Sequence, residues 1–319
     1  MDSFALWYKP KTGIDNKIID VEVHLNLWKL KCRRKGGESL DHFLDIGVMI
    51  GDIEKVSNVN IFIPSRINKG EITDLGSYFK EHTDLVPLVF NRDYVVKTTQ
   101  AGKSVEVLNR NNELQFNIIR LDTDTDLEVI ERAYGSIIRI IADDTINKGK
   151  TYYRIRIKSG FIESLSSIDK PANAILESAF ACTEIVDFRL NEKRNLNRSL
   201  LNEIHKDGEV NFKPIHLFIM REVDYDYIFS SGKLYRSRIL EKDLWAQYVG
   251  SNYSFERIIA YQWREESSET LYAFVKFRFR RSNWRTILSF LFWALLVAIV
   301  GGVIGSLLVG IFIGLFKGG

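Results

Sequence analysis

Residues Thr286–Phe316 read TILSFLFWALLVAIVGGVIGSLLVGIFIGLF, thirty-one consecutive positions without a charged side chain, followed by Lys317, Gly318 and Gly319. An uncharged apolar run of about eighteen residues or more reads as a transmembrane helix. Thirty-one helical residues extend about 46 Å against a hydrocarbon core of about 30 Å, so this span must tilt, protrude or break. A hairpin turning at Gly301-Gly302 would leave two arms of roughly 22 Å, too short to cross, although a re-entrant element fits that length.

Small residues recur at every fourth position of the run: Ala294, Ala298, Gly302, Ser306, Gly310 and Gly314, with Gly301 and Gly305 beside them. Four residues advance about 40° beyond one turn, so the series winds slowly and leaves a groove on which a second helix can lie closely. Glycine costs roughly 0.8–1 kcal/mol of helix propensity at each position, and this density points to helix packing and therefore to a homo-oligomer, with a tetramer as the working expectation. No ionisable group lies inside, so a pore lined by these helices would be apolar and dewetted at rest.

Immediately before the run stand Lys276, Arg278, Arg280, Arg281 and Arg285, with no acid among them. Such a basic anchor marks the cytoplasmic side and is attracted to anionic lipid, and Trp284 and Trp293 add interfacial aromatics. The expected topology is a single-pass, tail-anchored membrane protein, with residues 1–281 as a cytoplasmic sensor region and 282–319 as junction and span. The start of the chain, MDSFALWYKPKTG, lacks the basic and apolar regions of a secretory leader. Without the junction cations and Lys317, a net charge of +3 becomes −3 for residues 1–275. That balance argues against a general nucleic-acid-binding surface.

The chain has 319 residues, 45% apolar and 27% charged, the composition of a folded protein. Cys32 and Cys182 match neither a disulfide framework nor a zinc spacing, which favours a reducing compartment. Apolar Ile19, Val21, Val23, Leu25 and Leu27 alternate with Asp20, Glu22, His24 and Asn26, the pattern of a half-buried strand. Further strands are predicted at 43–50, 59–63, 86–90, 94–99, 104–109, 114–121, 151–162, 184–190, 212–223, 255–265 and 269–280, with a meander over 94–121. Helices are predicted at 72–82, 172–183, 198–205 and 240–248. The fold class is α+β with antiparallel sheet dominant, followed by one C-terminal transmembrane helix. The polar stretch DDTINKGK at 143–150 is a possible subdomain boundary or a hairpin loop.

Catalytic patterns are absent or incomplete. Ala101-Gly102-Lys103-Ser104 resembles the end of a phosphate-binding loop, but the first glycine would fall at Lys97 and the region reads as strand. Asp122, Asp124 and Asp126 start like a calcium loop, yet Leu127 and Ala133 occupy its glycine and glutamate positions. The five histidines are dispersed, and Asp143-Asp144 after the apolar run 137–142 has no partner motif. The expectation is a non-enzyme with no cofactor and no metal site.

Binding is better supported. Arg154, Arg156 and Lys158 alternate with apolar residues and share one strand face. Lys29, Lys31, Arg33 and Arg34 run towards Gly36-Gly37, and Lys233, Arg236 and Arg238 form a third group. Each reads as a solvated face or as a site for an anionic partner. Arginine beside Tyr152, Tyr153 and Tyr235 suits phosphates with stacked bases.

A β-rich region of this size ending in a pore-capable helix, together with IHLFIMREVDYDYIFSSGKLYRSRILEKDLWAQYV at 215–249, resembles the membrane effectors of bacterial anti-phage defence, the Hailong type in particular. The resemblance lies in layout and assigns no residue a role. It implies a homo-oligomeric channel controlled by a short deoxyadenosine oligomer that a partner nucleotidyltransferase makes, and membrane depolarisation on release. The competing expectation is a membrane-tethered scaffold without pore activity.

Overall fold

The computed structural model describes residues 2–14, 18–34, 37–98, 102–142, 149–169, 181–280 and 284–317. In chain order the elements are β1 (Ala5–Pro10), β2 (Ile18–Arg34), β3 (Gly37–Ile50), β4 (Val56–Ile63), β5 (Ile72–Asp74), α1 (Gly76–Glu81), α2 (Leu85–Phe90), β6 (Val95–Thr98), β7 (Ser104–Leu108), β8 (Leu114–Ile119), β9 (Leu127–Arg132), β10 (Gly135–Ile141) and β11 (Lys150–Ile157). There follow α3 (Gly160–Ser164), β12 (Ser166–Asp169), β13 (Ala181–Leu190), α4 (Arg198–Lys206), β14 (Glu209–Glu222), β15 (Tyr225–Ser230), β16 (Arg236–Ile239), α5 (Lys242–Val249), β17 (Tyr253–Ser254), β18 (Ile258–Glu265), β19 (Leu271–Arg280) and α6 (Trp284–Lys317).

The centre of the fold is a mixed sheet in the order β16-β18-β14-β2-β3-β11-β8-β7-β6, with β17 added to β2 and β5 to β11. β14 pairs β2 in parallel, as β8 pairs β11, and the other neighbours are antiparallel. Strands from both sides of the 143–150 stretch therefore share one sheet. The alternation in β2 sorts its side chains: Val21, Val23, Leu25 and Leu27 enter a core with β1, β4 and β13, which belong to two four-stranded sheets, β1-β4-β10-β9 and β12-β13-β19-β15. Trp28 and Leu30 point the other way, into a second core with Phe79 of α1, Leu85 and Val86 of α2, and Trp245 and Tyr248 of α5. A side-chain period of two makes one strand serve two cores.

The α+β class with antiparallel pairing dominant holds, and the 94–121 meander is β6-β7-β8. Residues 86–90 are helical where a strand was expected. Pro87 has no N–H for a ladder but costs a helix nothing in its first turn, where the N–H groups have no intrahelical partner anyway. Asn91 then stops the helix in the left-handed conformation, φ 51°. The predicted helix over 72–82 is shortened to α1, because residues 72–74 pair with β11. The strand predicted to 162 ends at Ile157 and gives way to α3. Of the predicted helix 172–183, residues 181–183 begin β13, and the rest lies outside the described residues, as do Asp143 and Asp144.

In β19, Val275, Phe277 and Phe279 are buried while Lys276 and Arg278 occupy the opposite face, as alternation requires. α6 is one continuous helix rather than a hairpin, and Leu288–Gly310 within it is long and apolar enough to cross a membrane. Its small residues stand open: a side chain added at Gly301, Gly302, Gly305 or Gly310 would meet nothing within 4 Å. The Ser306 hydroxyl donates to the Gly302 carbonyl at 2.9 Å, which satisfies it within the helix.

Candidate functional site

The polar half of the β2 alternation puts Glu22, His24 and Asn26 on the face of the central sheet that carries α1, α2 and α5. β14 lies beside β2 with His216 opposite His24 and Phe218 opposite Asn26. β18 adds Arg264 opposite His216 and Gln262 opposite Phe218, and β16 adds Arg236 opposite Gln262. The sheet thus sets two rows of side chains across four strands. Phe90, Asn91, Arg92 and Tyr94, at and beyond the end of α2, face these rows, with Phe116 and Lys150 between them, and together they enclose an open cleft of about 330 Å3. That volume is at the lower end of pockets that hold small ligands.

The cleft lining carries four cations, Arg92, Lys150, Arg236 and Arg264, against one carboxylate, Glu22. Tyr235 lies between two of the guanidinium groups, 5.9 Å from Arg236 and 5.6 Å from Arg264. Arg264 donates to Glu266 at 3.0 Å through Nη2, while its Nε is buried without an acceptor. Arg236 Nε donates to Gln262 Oε1 at 2.6 Å, which orients the amide so that Gln262 Nε2 donates to His216 Nδ1 at 3.0 Å. The Nε2 atoms of His24 and His216 lie 3.2 and 3.8 Å from Glu22 Oε1, and the two rings stack at 5.1 Å.

Burial lowers the His24 pKa, and burial with the neighbouring His24 pushes His216 down to about 3, so both imidazoles are neutral at neutral pH. Burial works to raise Glu22, but its hydrogen bond from His24 and the charges around it win, and it stays ionised. The cleft therefore combines cationic donors, exposed and half-buried aromatic rings, and a neutral histidine pair around a carboxylate. Anionic groups with a planar ring attached are what such a lining accommodates.

Arg236 alone among the predicted binding cations lines this cleft. Arg154 and Arg156 share one face of β11, with Lys158 just past its end on the same side, as expected, but the two arginines are covered instead of solvated and only Lys158 is exposed. Register places Arg156 opposite Asp45, whose carboxylate accepts from Arg156 at 2.7 and 3.1 Å. Arg154 is 1% exposed and donates to Tyr248 and Tyr152 at 2.9 and 2.8 Å, and Lys158 reaches Asp41 at 2.5 Å. The anions these cations attract are the protein's own carboxylates. Lys29 is likewise buried against Glu184 at 2.9 Å, and Lys31 meets Glu222 at 2.7 Å. Arg238 meets Glu241 at 3.0 Å, while Arg33 and Lys233 are exposed and outside the cleft. The side chain of Arg34 and residue Arg281 lie outside what the structure describes.

Sequence reading missed His24, His216, Gln262, Arg264, Arg92 and Lys150 as a group. Its usable trace was the alternation of Glu22 and His24, two residues apart and hence on one face; the remainder comes from strands distant in the chain. A scan against protein-family models and a search of curated proteins return no match to this sequence.

Proposed function

We propose that the protein is a ligand-controlled membrane effector of the ion-channel type, serving bacterial anti-phage defence. In this reading the cleft binds an anionic nucleotide or short DNA oligomer, and the α6 helices of several copies assemble through their small residues in the inner membrane, with the sheet domain in the cytoplasm. The observation that carries the reading is the cleft, whose lining sets four cations against one carboxylate, with Tyr94, Phe90 and Tyr235, in a domain whose remainder is slightly acidic. Phosphates favour the guanidinium groups and bases stack on aromatic faces. Only three residues separate the end of β19 from the start of α6, which supports coupling between domain and span, because a connection that short has little slack to absorb a displacement.

The test is equilibrium binding of a fluorescent short oligodeoxyadenylate to the full-length protein in detergent. A hydrogen bond to a charged group contributes about 1.5–3 kcal/mol. Arg236→Ala and Arg264→Ala should therefore each weaken binding roughly tenfold or more. Unchanged affinity in both variants would overturn the assignment of the cleft.

A further inference from the structure

We propose that Glu22, His24 and His216 form a divalent transition-metal site on the wall of the cleft. Among the described residues this is the one group of three side chains placed to hold a metal ion, with its ligand atoms within 4.8 Å of one another. The two contacts to Glu22 Oε1, 3.2 Å from His24 and 3.8 Å from His216, are close to the separation of roughly 3.4 Å between ligands bonded at about 2.0–2.1 Å around a tetrahedral zinc ion. Two imidazole nitrogens and one carboxylate oxygen select zinc or a neighbouring first-row ion over magnesium or calcium, which prefer oxygen. Three protein ligands leave a coordination position for water or for an oxygen of an anionic ligand, and the open side of the group faces the cleft.

The surroundings support the assignment. The side chains of His24 and His216 keep 13% and 14% exposure at the cleft, and in their stacked arrangement both Nε2 atoms lie near the same Glu22 oxygen. Binding at His216 Nε2 moves the neutral ring's proton to Nδ1. The Gln262 amide must then turn over to accept it, which releases Arg236 towards the cleft.

The site is tested on the full-length protein in detergent, stripped with a chelator and titrated with Zn2+ against a chromophoric competitor. One ion should bind per chain. His216→Ala and Glu22→Gln should each weaken binding roughly tenfold or more, and the isosteric Glu22→Gln guards against misfolding of the alanine variant. Gln262→Glu should tighten binding, since a carboxylate accepts from His216 Nδ1 without turning over. His205→Ala, at the exposed pair with Glu209, should change nothing. Absence of stoichiometric Zn2+ binding, or Zn2+ affinity unaltered by both Glu22→Gln and His216→Ala, would overturn the proposal. Oligonucleotide affinity measured on the chelator-stripped protein reports separately on Arg236 and Arg264, so failure of the metal site and failure of the cleft assignment are distinguishable.

Discussion

Asp45 is fully buried and gathers Arg156, Trp28 Nε1 at 3.0 Å and the Tyr248 hydroxyl at 2.7 Å, with Arg154 at 3.9 Å. Removing one member of a buried ion pair leaves the other charged and desolvated, at a cost of about 3–5 kcal/mol. Asp45→Asn should therefore lower unfolding free energy by about 3–5 kcal/mol in urea denaturation, whereas Asp124→Asn, at an exposed pair with Lys69, should stay within about 0.5 kcal/mol. A second buried network, Lys29-Glu184-Arg221, joins β2 and β14 to β13. Burial there tends to raise the Glu184 carboxyl, but Arg221 and Lys29 override it and hold the pKa at about 2, while burial and the charges of Lys29 and Arg221 push His42 down to about 4, against the opposing Glu184 and Asp41. Both groups are depressed in the folded state, so both stabilise it above their unfolded pKa. Stability should fall as pH drops from about 6.5 towards 4 through His42, and from about 4.5 towards 2 through Glu184. His42→Gln should flatten the upper part of that profile in denaturation measured at successive pH values.

Gly76 opens α1 at the point where this helix comes against β8, and a methyl group added there would collide with the Ile119 carbonyl. Its own N–H donates to Asp74 at 3.0 Å, so the backbone has no freedom to retreat. Gly76→Ala should destabilise the domain by about 1–3 kcal/mol, checked by thermal or urea unfolding, in spite of alanine's better helix propensity. Elements were legible where periodicity ran long: β2, β14 and β19 follow from alternation, and α4 begins at Asn197, whose side chain accepts from Ser199 N–H at 2.9 Å. At α2 an apolar run of five residues fits either secondary structure by pattern, and packing of Leu85 and Val86 into the second core decides it.

Across the whole molecule, the central sheet interleaves distant parts of the chain, with β2 held between β3 and β14, and β19 carrying the chain to α6, which is long and apolar enough to cross a membrane. If small-residue packing of α6 builds a pore, Gly302→Leu with Gly310→Leu should reduce cross-linked oligomers and abolish depolarisation in cells expressing the protein, read with a potential-sensitive dye. Exchanging the span for a leucine-alanine helix of about twenty residues should keep the protein in the membrane and remove depolarisation. Preserved function after the exchange would instead identify a scaffold.

The sequence by itself determined the apolar helix, the strand alternation and the sharing of one face by Arg154, Arg156 and Lys158, because periodicity and charge exclusion are local properties of neighbouring residues. Only the tertiary structure decided what those faces meet. The register of β3 with β11 brings Asp45 to the arginines and closes that face, while the parallel pairing of β2 with β14 brings His216 to His24 and opens the cleft. Pairing between strands far apart in sequence depends on how every intervening element buries its apolar side, so no local pattern encodes it.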